Sequence, residues 1–160
     1  MTELAPLTLR PAGPRDAPAL TTLLRRSWLV TWAPELPFSA VQRFAAEDPA
    51  AGYVAGMASG FLLAERGGVL LGMAHAVGDL LAALHVDPAA WGQGVGAALL
   101  AAAERRIAEG HATARLEVLA FNARALRFYR RQGWAEHERR MGDEYGAPVE
   151  LVEMRKPLPR

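Results

Sequence analysis

The chain has 160 residues, of which 51% are apolar, and a formal net charge of +1. This length and composition fit a single domain over residues 1–160 with a sizeable core, and the near-neutral charge argues against a nucleic-acid partner. The sequence has no cysteine, which excludes disulfides, thiolate catalysis and cysteine–metal sites. The four histidines lie far apart in the sequence, so we expect no metal site.

The sequence shows no pattern typical of a secreted or membrane protein. Residues 1–6 lack the basic segment and following apolar run of a signal peptide. No window approaches the roughly 20 apolar residues that a membrane span needs. We therefore expect a cytoplasmic protein without a membrane partner, present as a monomer or a homodimer.

The first half of the chain predicts short elements that lead into a strand pair. Residues 7–10 alternate apolar and polar side chains, as a short strand does. Pro14 and Asp16 indicate a helix start, and apolar residues then recur at helical spacing to about Trp28. We expect a second helix over residues 39–47, no defined element over 49–59, and a hairpin of strands over 60–65 and 69–77.

The second half alternates strands and helices. Residues 80–86 form a nearly continuous apolar run, as in a strand covered on both faces. The elements expected after it are a helix over 94–109, a strand over 115–120, a helix over 122–132 and strands over 134–140 and 148–155. The full order predicts an α/β fold with a single central mixed sheet and helices on both faces. The strand–helix–strand unit gives one parallel pair, and the hairpins give antiparallel neighbours.

A glycine-rich loop, WGQGVG at residues 91–96, joins a predicted strand to a predicted helix. Glycines before a helix N-terminus favour phosphate binding, because free N–H groups and the positive end of the helix dipole face the anion. A loop for nucleoside triphosphates would need lysine and a hydroxyl residue after the last glycine, where the chain has Ala97 and Ala98. The dinucleotide fingerprint belongs to the first strand of its unit, whereas this loop follows several strands. A tight turn needed only for packing is the structural alternative.

Two motifs resemble the GNAT superfamily of acyl-CoA N-acyltransferases. Residues 86–100 resemble its acetyl-CoA loop, Gln/Arg-x-x-Gly-x-Gly/Ala, although Trp91 stands where the family has Gln or Arg. Residues 122–134 resemble its second motif, Asn-x-x-Ala-x-x-(apolar)-Tyr-x-x-x-Gly-Phe. Two motifs in this order with a strand between them are more specific than either alone. The resemblance implies one N-acetyltransferase domain whose mostly antiparallel sheet has two central parallel strands splayed apart.

The resemblance also implies an activity. Acetyl-CoA would be the co-substrate, without a metal, and its acetyl group would pass directly to a primary amine in a ternary complex. The amine acceptor would be a small molecule, a peptide or a protein. A different class of function stays open as an alternative, in which the same fold is a catalytically weak acyl-CoA-binding or regulatory module.

The residues expected to bind the cofactor come from the strand end, the glycine loop and the second motif. On the resemblance they are Leu84, His85, Val86, Trp91, Gly92, Gln93, Gly94, Val95, Gly96, Ala97, Asn122 and Tyr129. Backbone N–H groups of residues 93–97 would hold the phosphates, and the Val86 N–H would face the thioester carbonyl. Trp91 would pack on the pantetheine arm or close the pocket.

Three residues are candidates for acid and base. Tyr129 occupies the family's tyrosine position near the cofactor sulfur, which implies the acid that protonates the leaving thiolate. Glu117 is the first choice for the base, because it is an ionisable residue in an apolar strand. Its position twelve residues before Tyr129 also resembles acetyltransferases in which a strand glutamate and a helix tyrosine act as base and acid. His85 is the second choice. For each of them, a purely structural role is the alternative.

The acceptor side is less defined in the sequence. Trp28, Trp32 and Tyr53 fall in segments that line the acceptor groove in GNAT relatives. These aromatic residues suggest a partly apolar substrate, or they belong to the core.

Overall fold

The computed structural model describes residues 3–159, which form seven strands and five α-helices. The strands are β1 (Leu7–Pro11), β2 (Phe61–Arg66), β3 (Val69–Val77), β4 (Leu80–Val86), β5 (Thr113–Leu119), β6 (Ala135–Glu144) and β7 (Ala147–Pro157). The helices are α1 (Ala17–Thr31), α2 (Phe38–Glu47), α3 (Pro49–Met57), α4 (Val95–Ala108) and α5 (Ala123–Arg131). Within this part of the chain, no helix combines the length and apolar character that crossing a membrane requires.

The seven strands form one sheet in the order β1-β2-β3-β4-β5-β7-β6. Neighbouring strands are antiparallel except for β4 and β5, which are parallel. The last strand, β7, lies between β5 and β6, so the β6–β7 hairpin forms the end of the sheet. The predicted mixed, mostly antiparallel sheet is confirmed.

The parallel strands β4 and β5 meet only at their beginning. Leu80 pairs with Arg115, whose N–H donates to the carbonyl of Asp79 at 3.0 Å. Across residues 3–159, no further register pair joins the two strands. The strands therefore diverge toward their carboxyl ends and leave a gap in the middle of the sheet.

Apolar clusters lie on both faces of the sheet. On one face, α4 and α5 contribute buried side chains such as Leu99 and Leu126. On the other face, α1 and α3 contribute buried side chains such as Leu20 and Val54. Since successive residues of a strand face opposite sides, β3 supplies both clusters and is buried on both faces, which explains its long apolar run.

Helix α3 lies where the sequence predicted no defined element. Pro49 stands in its first turn, a position where the missing proline N–H costs nothing. Ala50 and Val54, one helical turn apart, are buried against the α1 cluster. This tertiary burial outweighs the low helix propensity of Gly52 and Gly56.

Candidate active site

The glycine loop owes two of its glycines to backbone conformation. Gly92 and Gly94 have φ angles of +78° and +80°, in the left-handed region that side chains disfavour. A Cβ at either position would meet no atom within 4 Å, so crowding is not the reason. Gly96 differs, because its φ is ordinary and a Cβ there would make an ordinary contact with Phe128 at 3.4 Å. The first two glycines thus turn the chain from β4 into α4.

Helix α4 begins at Val95 without a side-chain cap, since its N-cap residue is Gly94. The N–H groups of the first helical turn have no partner within the helix, and the positive end of the helix dipole lies there. Val95, Gly96 and Ala97 all line the adjacent cavity. This helix end can therefore bind an anionic group such as a phosphate.

A cavity of about 780 Å³ lies beside the loop, between the end of β4, α1 and α5. This volume is within the range of small-molecule and cofactor sites. Twelve of the residues predicted to bind cofactor or substrate line it: Trp32, Leu84, His85, Val86, Trp91, Gly92, Gly94, Val95, Gly96, Ala97, Asn122 and Tyr129. The two sequence motifs therefore meet at one site.

Tyr129 is buried on α5, with its hydroxyl open to the cavity. Within residues 3–159, that hydroxyl has no hydrogen-bond partner, although every fully buried polar side-chain atom there has one. The hydroxyl must therefore be reached from the cavity that Tyr129 lines. Burial raises the pKa of the Tyr129 phenol above its usual range, so the group stays protonated and suits the role of a proton donor.

His85 lies at the end of β4 and contacts α1 through Ser27. The Ser27 Oγ and the His85 Nδ1 are 2.8 Å apart, and Trp32 packs its ring edge near the imidazole. Burial lowers the pKa of His85 to about 4, so the ring is neutral at pH 7. By the argument used for Tyr129, the His85 Nε2 is open to the cavity.

Ser27 has a role that the sequence did not predict. It is a buried polar residue on the apolar stripe of α1, next to Leu23 and Leu24. A hydroxyl at a core-facing helical position needs a hydrogen-bond partner, so the sequence already indicated that Ser27 has a buried partner. The partner is His85, 58 residues away in the sequence, so the pairing depends on how α1 packs on the sheet.

Glu117, the first choice for the base, does not line the cavity. Its neighbours Leu116 and Val118 are buried in the cluster beneath α4 and α5, so strand alternation places Glu117 on the opposite face of β5. There the carboxylate is exposed and forms an ion pair with Arg140 of β6. The structure therefore does not bring Glu117 and Tyr129 together, contrary to the pairing that the resemblance implied.

Two of the three expected acceptor residues lie outside the cavity. The Trp28 ring stacks on Phe44 with centroids 3.8 Å apart, and its indole N–H donates to Glu144 at 3.1 Å. The Tyr53 hydroxyl is 2.6 Å from the His75 Nδ1. Trp28 thus packs α1 against α2, and Tyr53 connects α3 to the sheet. Of the three expected acceptor residues, Trp32 alone lines the cavity.

Two further predicted residues have local structural roles. Asn122 caps α5, because its Oδ1 accepts from the Ala125 N–H at 3.2 Å, and it also lines the cavity. Gln93 is not part of the cavity wall, since its Oε1 accepts from Arg66 at 2.7 Å and ties the loop to β2. This hydrogen bond connects the glycine loop to β2.

Residues 17–134 match the family model described as "Acetyltransferase (GNAT) family". The chain belongs to the GNAT acetyltransferase family. The matched region contains both the glycine loop and the second motif, so the family inferred from these motifs is confirmed. No curated protein sequence matches the chain.

Solved structures of GNAT proteins share the fold over nearly the whole chain. A GCN5-related N-acetyltransferase from Rhodopseudomonas palustris has a TM-score of 0.79 at 23% identity, with 99% of both chains covered. PaiA N-acetyltransferase from Thermoplasma acidophilum, solved with coenzyme A, has a TM-score of 0.77 at 21% identity, with 95% of this chain and 99% of that chain covered. The yncA protein from Salmonella typhimurium, solved with acetyl-CoA, has a TM-score of 0.70 at 20% identity, with 98% and 96% covered.

Proposed function

We propose that this GNAT protein is an acetyl-CoA-dependent N-acetyltransferase that transfers an acetyl group to a primary amine within a ternary complex. The observation that carries the proposal is one continuous cavity. It extends from the uncapped N-terminus of α4 to Tyr129 and His85, which both line its wall. The relatives solved with coenzyme A and with acetyl-CoA support the choice of co-substrate.

The residues of the cavity fit the chemical parts of acetyl-CoA. The N–H groups of Val95, Gly96 and Ala97 suit its pyrophosphate, because they are donors at the positive end of a helix. Leu84 and Val86 border the gap between β4 and β5, which suits the pantetheine arm. The thioester would then lie near His85 and Tyr129.

In the proposed reaction, a C–N bond forms and the C–S bond breaks. The amine nitrogen becomes more acidic as it bonds to the carbonyl carbon, so a weak base such as His85 can take its proton at Nε2. This requires the Nδ1–H tautomer, in which Nδ1 donates to the Ser27 Oγ. Tyr129 gives its proton to the leaving sulfur, and the Val86 N–H donates to the carbonyl oxygen.

The acid role is tested with Tyr129→Phe. Loss of the phenolic proton should lower kcat for CoA release by about a hundredfold or more, while the dissociation constant of CoA stays within about threefold because the ring remains. The measurement is CoA release with an amine panel, beside calorimetry of CoA binding. An unchanged kcat would remove Tyr129 from the mechanism.

The base is tested by comparing His85→Gln with Glu117→Gln. The cavity geometry favours a large loss of kcat in the first variant and wild-type kcat in the second. The reverse result would restore Glu117 as the base. A wild-type protein that binds CoA but acetylates no amine in the panel would favour the regulatory-module alternative.

The charges of the cavity wall predict which amines in the panel react faster. No Asp or Glu is among the cavity-lining residues of the described chain, so a polycationic acceptor would find no counter-charge there. We expect monoamines and amino acids or peptides with one free amine to react faster than spermidine. Faster acetylation of spermidine would show that the acceptor binds elsewhere.

A further inference from the structure

The guanidinium of Arg124 stacks on the ring of the loop residue Trp91. The Arg124 Cζ lies 3.4 Å from the centroid of the Trp91 ring, in a close cation–π contact. The ring itself is fixed, because its indole N–H donates to the Val86 carbonyl at 3.2 Å. Both Trp91 and Arg124 line the cavity. The stack thus holds a positive charge beside the glycine loop.

Arg124 occupies a position that is unfavourable for a cation. It is the second residue of α5, where the positive end of the helix dipole repels a positive charge. In the described part of the chain, no carboxylate lies within ion-pair distance of it. Although the Arg124 side chain is exposed at the surface, the guanidinium loses part of its hydration there, and this lowers its pKa. An anion in the cavity would compensate for all three effects.

We propose that Arg124, held by Trp91, is the residue that contacts the pyrophosphate of CoA in this protein. The inference rests on the proposed function, since it names the cation that accompanies the N–H groups of α4. Trp91 has no charge with which to bind a phosphate. Its ring instead positions the charged guanidinium of Arg124. Tryptophan at the loop position and arginine on α5 therefore act as one unit.

The other guanidinium on the cavity wall lies too far along the helix for the same role. Arg131 follows seven residues later, which is about 10 Å along the helix axis. It lies at the end of α5 remote from the glycine loop, where the helix dipole favours a cation. Arg124 is thus the guanidinium that faces the loop.

The test measures CoA binding by calorimetry in single variants of the full-length protein. Arg124→Met keeps most of the aliphatic stem and removes the charge, so it should weaken CoA binding by about tenfold to a hundredfold, as expected for loss of a charge-assisted hydrogen bond. The matched control is Arg127→Met, an exposed arginine of the same helix outside the cavity wall, which should change the dissociation constant less than about twofold.

Two further variants test the unit. Trp91→Leu removes the ring face and should also weaken binding, whereas Trp91→Phe keeps the face and should weaken it less. The double variant Arg124→Met with Trp91→Leu should bind CoA within about twofold of Arg124→Met alone, because both changes act through one guanidinium. Additive losses would contradict the positioning role of Trp91.

Dephospho-CoA identifies the anion, because it keeps the pyrophosphate but lacks the 3′-phosphate. Equal losses for CoA and dephospho-CoA in Arg124→Met support the pyrophosphate, and a loss for CoA alone overturns that assignment. Unchanged binding in Arg124→Met overturns the inference while the proposed function stands. If wild-type protein binds neither compound, the proposed function fails first.

Discussion

The pair formed by Ser27 and His85 connects a helix to the site at the scale of single residues. A neutral imidazole has one N–H and one lone pair, and its partners decide which nitrogen carries which. The Ser27 Oγ lies at 2.8 Å from Nδ1, so it can accept the Nδ1–H and leave Nε2 as the proton acceptor. Ser27 is thus a positioning residue for the proposed base.

Ser27→Ala should therefore lower kcat by about tenfold, because His85 loses the partner that fixes its tautomer, with little change in the KM for acetyl-CoA. The ¹⁵N chemical shifts of the His85 ring should move toward a mixture of tautomers. Ser39→Ala, which changes an exposed serine of α2, is the matched control. Shifts identical to those of the wild-type protein would exclude the positioning role.

His85 also predicts how stability depends on pH. Its pKa is lowered to about 4 in the folded chain, against about 6.5 when unfolded. The unfolded state therefore binds the proton first, and the free energy of unfolding falls as the pH decreases from about 6.5 to 4, by on the order of 3 kcal/mol. Above pH 6.5 this contribution does not change.

Urea unfolding at pH 7 and pH 4.5 measures this effect. His85→Gln should lose less stability between the two pH values than the wild-type protein does, since glutamine does not titrate. His111→Gln, an exposed histidine, should behave like the wild-type protein. Equal losses in all three proteins would contradict the lowered pKa of His85 in the folded state.

At the scale of elements, Gly72 sets how closely α4 approaches the sheet. A Cβ at this position of β3 would lie 2.8 Å from the His85 carbonyl oxygen and 2.9 Å from the Leu99 Cδ1. Both distances are shorter than van der Waals contact, so the missing side chain allows β3, β4 and α4 to pack. The position of the proposed base therefore depends on this glycine.

Gly72→Ala should lower the free energy of unfolding by about 1–3 kcal/mol through overpacking. It should also lower kcat, because the displaced group is the backbone of His85. In Gly52→Ala, on α3, the new Cβ meets no atom within 4 Å, and stability should rise by about 0.5–1 kcal/mol. Equal denaturation midpoints for Gly72→Ala and the wild-type protein would contradict this packing.

The elements show which features local sequence can predict. Helical spacing and strand alternation are local, so the order of strands and helices and both GNAT motifs could be predicted. The direction of Glu117 could not, because Glu117 faces away from Tyr129 only once α5 covers the Leu116 side of β5. Helix α3 was missed for a similar reason, since contacts with α1 stabilise it. The Ser27–His85 pair likewise depends on packing.

For the whole molecule, CoA should increase stability through binding to the folded state alone. At a concentration 100 times its dissociation constant, a ligand adds about 2.7 kcal/mol, which for a chain of this size corresponds to a rise in Tm of about 5–10 °C. ATP and NAD should cause no comparable rise, because the loop lacks the residues their sites need. A thermal-shift assay with the three ligands makes the comparison, and no shift with CoA would contradict the proposed co-substrate.

The gap between β4 and β5 gives the sheet an edge within its interior. Strand edges with free main-chain groups tend to pair with strands of other chains and so promote aggregation. Here the Trp91 indole N–H already donates a hydrogen bond to the carbonyl of Val86. A co-substrate arm in the gap would cover the rest of that edge, so the ligand-free chain would be the form most inclined to self-associate. In its proposed role, acetyl-CoA would then limit self-association of the protein as well as supply the acetyl group.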